Sequence, residues 1–160
     1  DAHEIDEVNV SSTKIRNAIM DGEMEKANCY LGEPFELSGR VIEGEALGRS
    51  IGFPTANLDI ESDIKLIPKM GVYAVNVVLG DGSIQEGMMN IGLRPTVANH
   101  DDLSIEVNLF DFSSDIYGDC VTVQFLSRLR DEMRFDSLIE LKEQLIEDEK
   151  AIRSYFISLI

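Results

Sequence analysis

Between Phe35 and Leu129 the apolar residues of this chain fall largely on alternate positions, the spacing of a strand with one buried face. Phe35-Glu36-Leu37-Ser38-Gly39-Arg40-Val41-Ile42 alternates in part, and Gly71 to Leu79 is rich in valine. Leu103, Ile105, Val107 and Leu109 point one way, while Ser104, Glu106, Asn108 and Phe110 point the other. Val121, Val123 and Phe125 repeat the pattern, and Asp81-Gly82 before Ile84 is a strong hairpin signal. Several short strands with turns between them and no helix among them predict a closed antiparallel barrel or a sandwich.

Outside that stretch the period is helical. Ser11-Ser12-Thr13 offers capping hydroxyls to a helix carrying Ile15, Ala18 and Ile19, and Asp21-Gly22 stops it. A second short helix runs through Met24, Ala27 and Leu31 to Gly32, and Pro34 turns the chain. Near the end, Ser137-Leu138-Ile139-Glu140 is a capping box. Leu138, Leu141, Leu145, Ile152 and Phe156 then form an apolar stripe opposite Glu, Lys and Asp, which predicts a helix packed on the barrel.

The length of 160 residues suits about one domain, large enough to bury a core without staples. Acidic residues number 30 against 14 basic, a formal net charge of −16. Such a field repels polyphosphate, so general nucleic-acid binding and anionic-membrane binding are not expected. A phosphate compound would need a local site and a metal to offset that field. Cys29 and Cys120 lie far apart and read as reduced thiols, and His3 and His100 make no zinc cluster. With no membrane-length apolar run and no signal-peptide pattern, the simplest compartment is the cytoplasm. The opening Asp1-Ala2-His3-Glu4 lacks an initiator Met, so a fragment of a longer chain is expected.

Three stretches carry candidate chemistry. Residues 44 to 57 hold Gly44, Gly48 and Gly52 together with Arg49, so backbone N–H groups and a guanidinium can approach phosphate. By spacing alone, a plain surface loop explains them as well. The following Pro54-Thr55-Ala56-Asn57 adds a hydroxyl and an amide two residues apart, on one side of an extended chain. Both are neutral oxygen donors that suit a hard cation such as Mg²⁺, which takes its other ligands from water and phosphate. Glu106, mid-strand, is a candidate general base or a residue of a solvated outer face. Asn90-Ile91-Gly92-Leu93-Arg94-Pro95-Thr96 makes a turn whose Arg94 meets either phosphate or one of the acids.

Taken together with Gly71-Val72-Tyr73, Asp115-Ile116-Tyr117-Gly118 and Leu129-Arg130-Asp131-Glu132, these motifs resemble the riboflavin kinase family from about residue 32 to 156. Val10-Ser11-Ser12-Thr13-Lys14-Ile15-Arg16 is similar to the closing motif of the adenylyltransferase domain in bifunctional bacterial riboflavin kinase/FAD synthetases. The resemblance implies a mostly β fold, a small closed antiparallel Greek-key barrel with short N-terminal helices and a C-terminal helix. It assigns residues 1–31 to the helical tail of an upstream adenylyltransferase domain and 32–160 to the kinase domain. It implies ATP and riboflavin as substrates, FMN and ADP as products, and Mg²⁺ or another divalent cation. The missing N-terminal domain would carry adenylylation of FMN to FAD.

Carried over residue by residue, Glu106 is the catalytic carboxylate, and Thr55 and Asn57 hold the metal. Gly44, Gly48, Arg49, Gly52, Pro54, Leu109, Asp111 and Tyr117 are nucleotide-side positions; Arg130, Met133 and Phe135 are flavin-side ones. Asn108 stands where many members have His, and Met133 replaces a commonly basic residue. The rivals are a flavin-binding barrel without catalysis and an acidic docking domain. Neither requires Thr55, Asn57 and Glu106 together.

Overall fold

Ser11 accepts a hydrogen bond from the Lys14 backbone N–H at 3.2 Å and starts helix α1 (Ser12–Met20). Helix α2 (Met24–Leu31) ends at Gly32 in the left-handed region. Six strands follow in a computed structural model that describes residues 11–43, 52–60, 66–93 and 103–160. They are β1 (Phe35–Ile42), β2 (Ala56–Asp59), β3 (Gly71–Val78), β4 (Ile84–Leu93), β5 (Leu103–Leu109) and β6 (Cys120–Arg130). Helix α3 (Leu138–Ser158) ends the chain, its start capped by Ser137, which accepts from the Glu140 N–H. Glu140 in turn accepts from the Asp136 N–H at 3.2 Å, one residue before the cap, so the Ser137 half of the expected capping box forms and the return bond is displaced by one residue.

Every strand pair is antiparallel, and the order β1-β2-β5-β4-β3-β6 closes on itself through β6 and β1. Strands β3, β4 and β5 are consecutive and β6 returns beside β3, which is a Greek key. Of the two architectures the alternation allowed, the barrel is the one present. The β3–β4 hairpin turns at Asp81-Gly82, where Gly82 takes φ 88° and Asp81 accepts from the Ser83 N–H.

Alternation fills the barrel. Leu37 and Val41, Tyr73, Val75 and Val77, Met89 and Ile91, Ile105 and Val107, and Val121, Val123 and Phe125 share one interior cluster. Phe125 meets Tyr73 edge-on, centroids 5.1 Å apart. Ala18, Ile19, Met24 and Ala27 of the two short helices join the same cluster. Asn28 donates to the Phe125 carbonyl at 2.7 Å and accepts from the Phe35 N–H at 2.8 Å. That exchange ties α2 to both β1 and β6.

A second cluster lies outside the barrel wall. Val72, Ala74 and Met88 of the sheet pack with Phe53, Phe110 and, from α3, Ile152 and Phe156. The expected α3 stripe needs one correction: Leu138 is exposed at the first turn, and Asp148 is buried among the apolar positions. Its place follows from spacing, since 145, 148 and 152 share one helix face. Among the described residues no helix is long and apolar enough to cross a membrane.

Strand β6 does not hold a simple register with β3. Val75 faces Phe125, Ala74 faces Ser127, Tyr73 faces Arg128, and Val72 faces Arg130, so Leu126 and Leu129 are bulged. Without the second bulge, Arg128 and Arg130 would share a face. With it, Arg128 lies by the Tyr73 ring and the α1–α2 corner, while Arg130 faces out under α3.

Phe125 is fully buried at the junction of barrel and helices. Phe125→Ala is expected to lower the unfolding free energy by about 3–5 kcal/mol in urea titration. Ile157→Ala, at a largely exposed position of α3, is expected to change it by less than ~0.5 kcal/mol.

Candidate active site

The pairing places one row of residues across five strands. Asn57 faces Glu106, Glu106 faces Asn90, Asn90 faces Val72, and Val72 faces Arg130. Their neighbours Leu58, Val107, Ile91 and Tyr73 point into the barrel, so this row stands on its outer face. Directly opposite residues have Cβ atoms about 4.5–5.5 Å apart, near enough for side chains to act on a common ligand.

Between this face and α3 lies a cavity of about 210 Å³. Phe53, Val72, Met88, Leu141 and Leu145 form its apolar wall, and Phe135 closes one side. Glu106, Asn90, Asn108, Arg130, Glu132 and Asp148 supply its polar groups. Arg130 reaches α3 as a fork: Nε donates to Asp148 Oδ1 at 2.9 Å and an Nη donates to Oδ2 at 2.7 Å. Its other Nη donates to the Asp131 carbonyl at 2.9 Å, and Gln144 also donates to Asp148. A buried carboxylate on the helix therefore aims the guanidinium that the bulge brings to the cavity.

Glu132 enters from the segment after β6. Its carboxylate lies on Gly92 of β4, and a Cβ at that glycine would collide with it. Glu132 is exposed as a whole residue, but its seated carboxylate end governs its titration. Desolvation of that end pushes the carboxyl above the usual range; Arg130 pulls it down, and the charge of Glu106 adds to the rise.

A second cavity, of about 420 Å³, lies on the other side of the segment leading into β2. Val41, Pro54, Leu109, Phe112, Ile116 and Tyr117 line it, and Thr55 lines both cavities. Asn108, almost fully buried, donates to the Pro54 carbonyl at 2.7 Å and so fixes the turn that presents Thr55. The far wall is held by Asp115, which accepts from the Tyr117 N–H at 2.9 Å, and by Arg40, which donates to the Gly118 carbonyl at 2.8 Å.

Thr55, Asn57 and Glu106, distant in sequence, thus come together: Asn57 is buried beside Glu106, and Thr55 precedes it by two residues. Arg130 and Phe135 share the first cavity with Glu106, while Pro54, Leu109 and Tyr117 share the second. Asp111 and Met133 line neither. Asp111 takes a left-handed φ of 55° and pairs with Arg153 at 3.1 and 3.3 Å, which holds its carboxyl below the usual range. Met133 is 44% exposed. Gly52 precedes Phe53 at φ 88° and lines neither cavity. Gly44, Gly48, Arg49, Arg94 and His100 lie outside the described residues.

Among the described residues no group of three or more His, Cys, Asp or Glu could hold a metal. The donors nearest the junction of the cavities are the Thr55 hydroxyl, which opens on both, and the amide of Asn57, which is buried beside Glu106 and lines neither; both are neutral oxygens. That set suits a hard cation whose remaining ligands come from a bound phosphate and water. Cys29 and Cys120 are free thiols. Sequence reasoning missed Asn90, Glu132 and Asp148 as lining residues. Asn90 and Glu132 stood inside recognised motifs, but their facing requires the pairing register and the path after β6.

Asp148→Ala leaves Arg130, 17% exposed, without its counter-ion. The expected loss is about 3 kcal/mol in chemical denaturation, the low end for a broken buried pair because Arg130 opens on the cavity.

A family model for riboflavin kinase matches residues 31–156. Over 152 residues the chain is 43% identical to a bifunctional riboflavin kinase/FMN adenylyltransferase of Haemophilus influenzae, covering 95% of this chain and 48% of that one. The crystal structure of a Streptococcus pneumoniae protein named for macrolide efflux aligns at TM-score 0.83 and 42% identity, over 90% of this chain and 46% of that chain. A riboflavin kinase structure from Trypanosoma brucei aligns at TM-score 0.52 and 24% identity, over 76% of this chain and 79% of that chain, and speaks to the fold. The chain spans about half the length of the bacterial relatives it matches.

Proposed function

This chain belongs to the riboflavin kinase family, and from that membership we propose that it moves the γ-phosphoryl group of ATP onto the 5′-hydroxyl of riboflavin, giving FMN and ADP. The observation that carries the reading is the position of Thr55, which lines both cavities. Two substrates held in separate cavities would meet there, beside Asn57 and Glu106.

The first cavity takes the flavin. Its apolar wall of Phe53, Val72, Met88, Leu141 and Leu145 suits a planar ring system, with Arg130 and Phe135 at its side. The second takes the nucleotide against Pro54, Leu109 and Tyr117. Thr55 and Asn57 would hold a divalent cation, Mg²⁺ in the simplest case, which supplies neutralisation of phosphate charge when bound. That neutralisation counts in a chain of net charge −16. The glycines and Arg49 of residues 44 to 52 would add donors to the phosphates.

Phosphoryl transfer has a loose transition state, so alignment and charge compensation do most of the work. Glu106 orients the terminal hydroxyl of the flavin side chain toward Thr55 and accepts its proton late in the transfer. Asn108 keeps the Thr55 turn in place through the Pro54 carbonyl. The longer protein that this chain's relatives represent would add an FMN adenylyltransferase domain upstream, and the adenylylation of FMN belongs to that domain.

Incubation with riboflavin, ATP and Mg²⁺ is expected to yield FMN on chromatography; absence of FMN with intact flavin binding would turn the proposal to a binding barrel. Glu106→Gln is expected to lower kcat by about 10²–10⁴-fold while nucleotide binding persists; near wild-type turnover would remove Glu106 from the role. Asn57→Ala is expected to raise the Mg²⁺ concentration for half-maximal activity, and an unchanged metal titration would refute the ligand assignment.

A further inference from the structure

We propose that Asn90 and Glu132 read the hydroxyl-bearing side chain of the acceptor and set which hydroxyl reaches Glu106. This deepens the riboflavin kinase reading and rests on it. Glu106 and Asn90 are opposite residues on β5 and β4, and Glu132 is seated on Gly92, two residues along β4 from Asn90. Asn90 and Gly92 share the outer face, so the three polar groups turn a corner on the cavity wall, from Glu106 to Asn90 across the strands and from Asn90 to Glu132 along β4.

Arg130, the nearest cation, already has the Asp148 fork and the Asp131 carbonyl as partners. The seated Glu132 carboxylate is desolvated and repelled by Glu106, costs that Arg130, the Met133 N–H and the Asn90 side chain offset only in part. Asn90 is also incompletely used: its Oδ1 is buried and has no hydrogen-bond partner among the described residues. A buried acceptor without a donor costs free energy that a ligand recovers by supplying one. The three groups therefore offer acceptors to several O–H donors, beside an apolar wall that offers nothing to them. A polyol attached to a planar ring is the ligand class with that division. Glycine at 92 has its own reason here, because a side chain would lift the Glu132 carboxylate off the strand.

The test compares riboflavin with an analogue that keeps the ring system and the terminal hydroxyl but has a plain five-carbon linker without the intervening hydroxyls. The kcat/KM of each is measured by ATP-dependent phosphorylation on chromatography. The wild-type protein is expected to favour riboflavin by about 10²-fold or more, since a site built to bind hydroxyls rejects a ligand lacking them. In Glu132→Leu and in Asn90→Val the preference is expected to shrink at least tenfold, with Glu132→Gln restoring part of it. A wild-type protein that treats both compounds alike overturns the proposal, even if no variant folds. So does a preference that survives both substitutions. If the wild-type protein phosphorylates neither compound, the kinase reading itself has failed, and that outcome is distinct from the other two.

Discussion

The pairing of β6 with both β1 and β3 is the interaction on which the rest depends. It closes six strands into a barrel. Closure leaves no open edge and divides every strand into an inner and an outer face. The inner face is filled by aliphatic residues, Tyr73 and Phe125. The outer face carries polar groups freely where it meets water, as the Ser38–Thr122 and Gln124–Glu36 pairs of β1 and β6 do, and where α3 covers β3 and β4 the polar groups line a cavity instead. The row from Asn57 to Arg130 lies across this face because antiparallel register leaves it no other place.

Two departures from regular structure make the row useful. The bulge at Leu129 separates Arg128 from Arg130 and gives each a different task. Arg128 holds the end of the barrel: it donates to the Met70 carbonyl and to Asp131 and stacks near Tyr73. Arg130 belongs to the cavity, held by Asp148 from across the helix interface. The same pair that anchors α3 to the barrel thus fixes the cation beside the apolar wall of the first cavity. Stability and site geometry are coupled there, and neither partner can be altered for one purpose alone.

Much of this was legible beforehand. The alternating and valine-rich runs located four of the six strands, β1, β3, β5 and β6, the capping hydroxyls at Ser11 and Ser137 located two helix starts, and Asp81-Gly82 located the hairpin that leads into β4. The motif Pro54-Thr55-Ala56-Asn57 and Glu106 announced themselves through residue type and family pattern, and the structure brings them together. Other features were not legible, for definite reasons. Alternation says which side a residue faces but not which strand it meets, so the row joining Asn57, Glu106 and Asn90 needs the register. A bulge has no period, so the outward turn of Arg130 is invisible in a linear reading. Asp148 sat in plain view on the apolar stripe of α3, where a charged residue signals a buried partner. Asp111 and Met133 were assigned by position in a family pattern, and local geometry turns both away from the cavities.

The two short helices have a bearing on where this module can be cut. The family match begins at residue 31, the last residue of the second. Yet Ala18, Ile19, Met24 and Ala27 are sealed into the barrel's own interior, and Asn28 satisfies backbone groups of both β1 and β6. The boundary of the family match and the boundary of the packed core therefore do not coincide. A gene fusion, swap or truncation drawn at the first boundary would uncork the second, and exchange of this module between proteins has to carry the two helices with it as a plug.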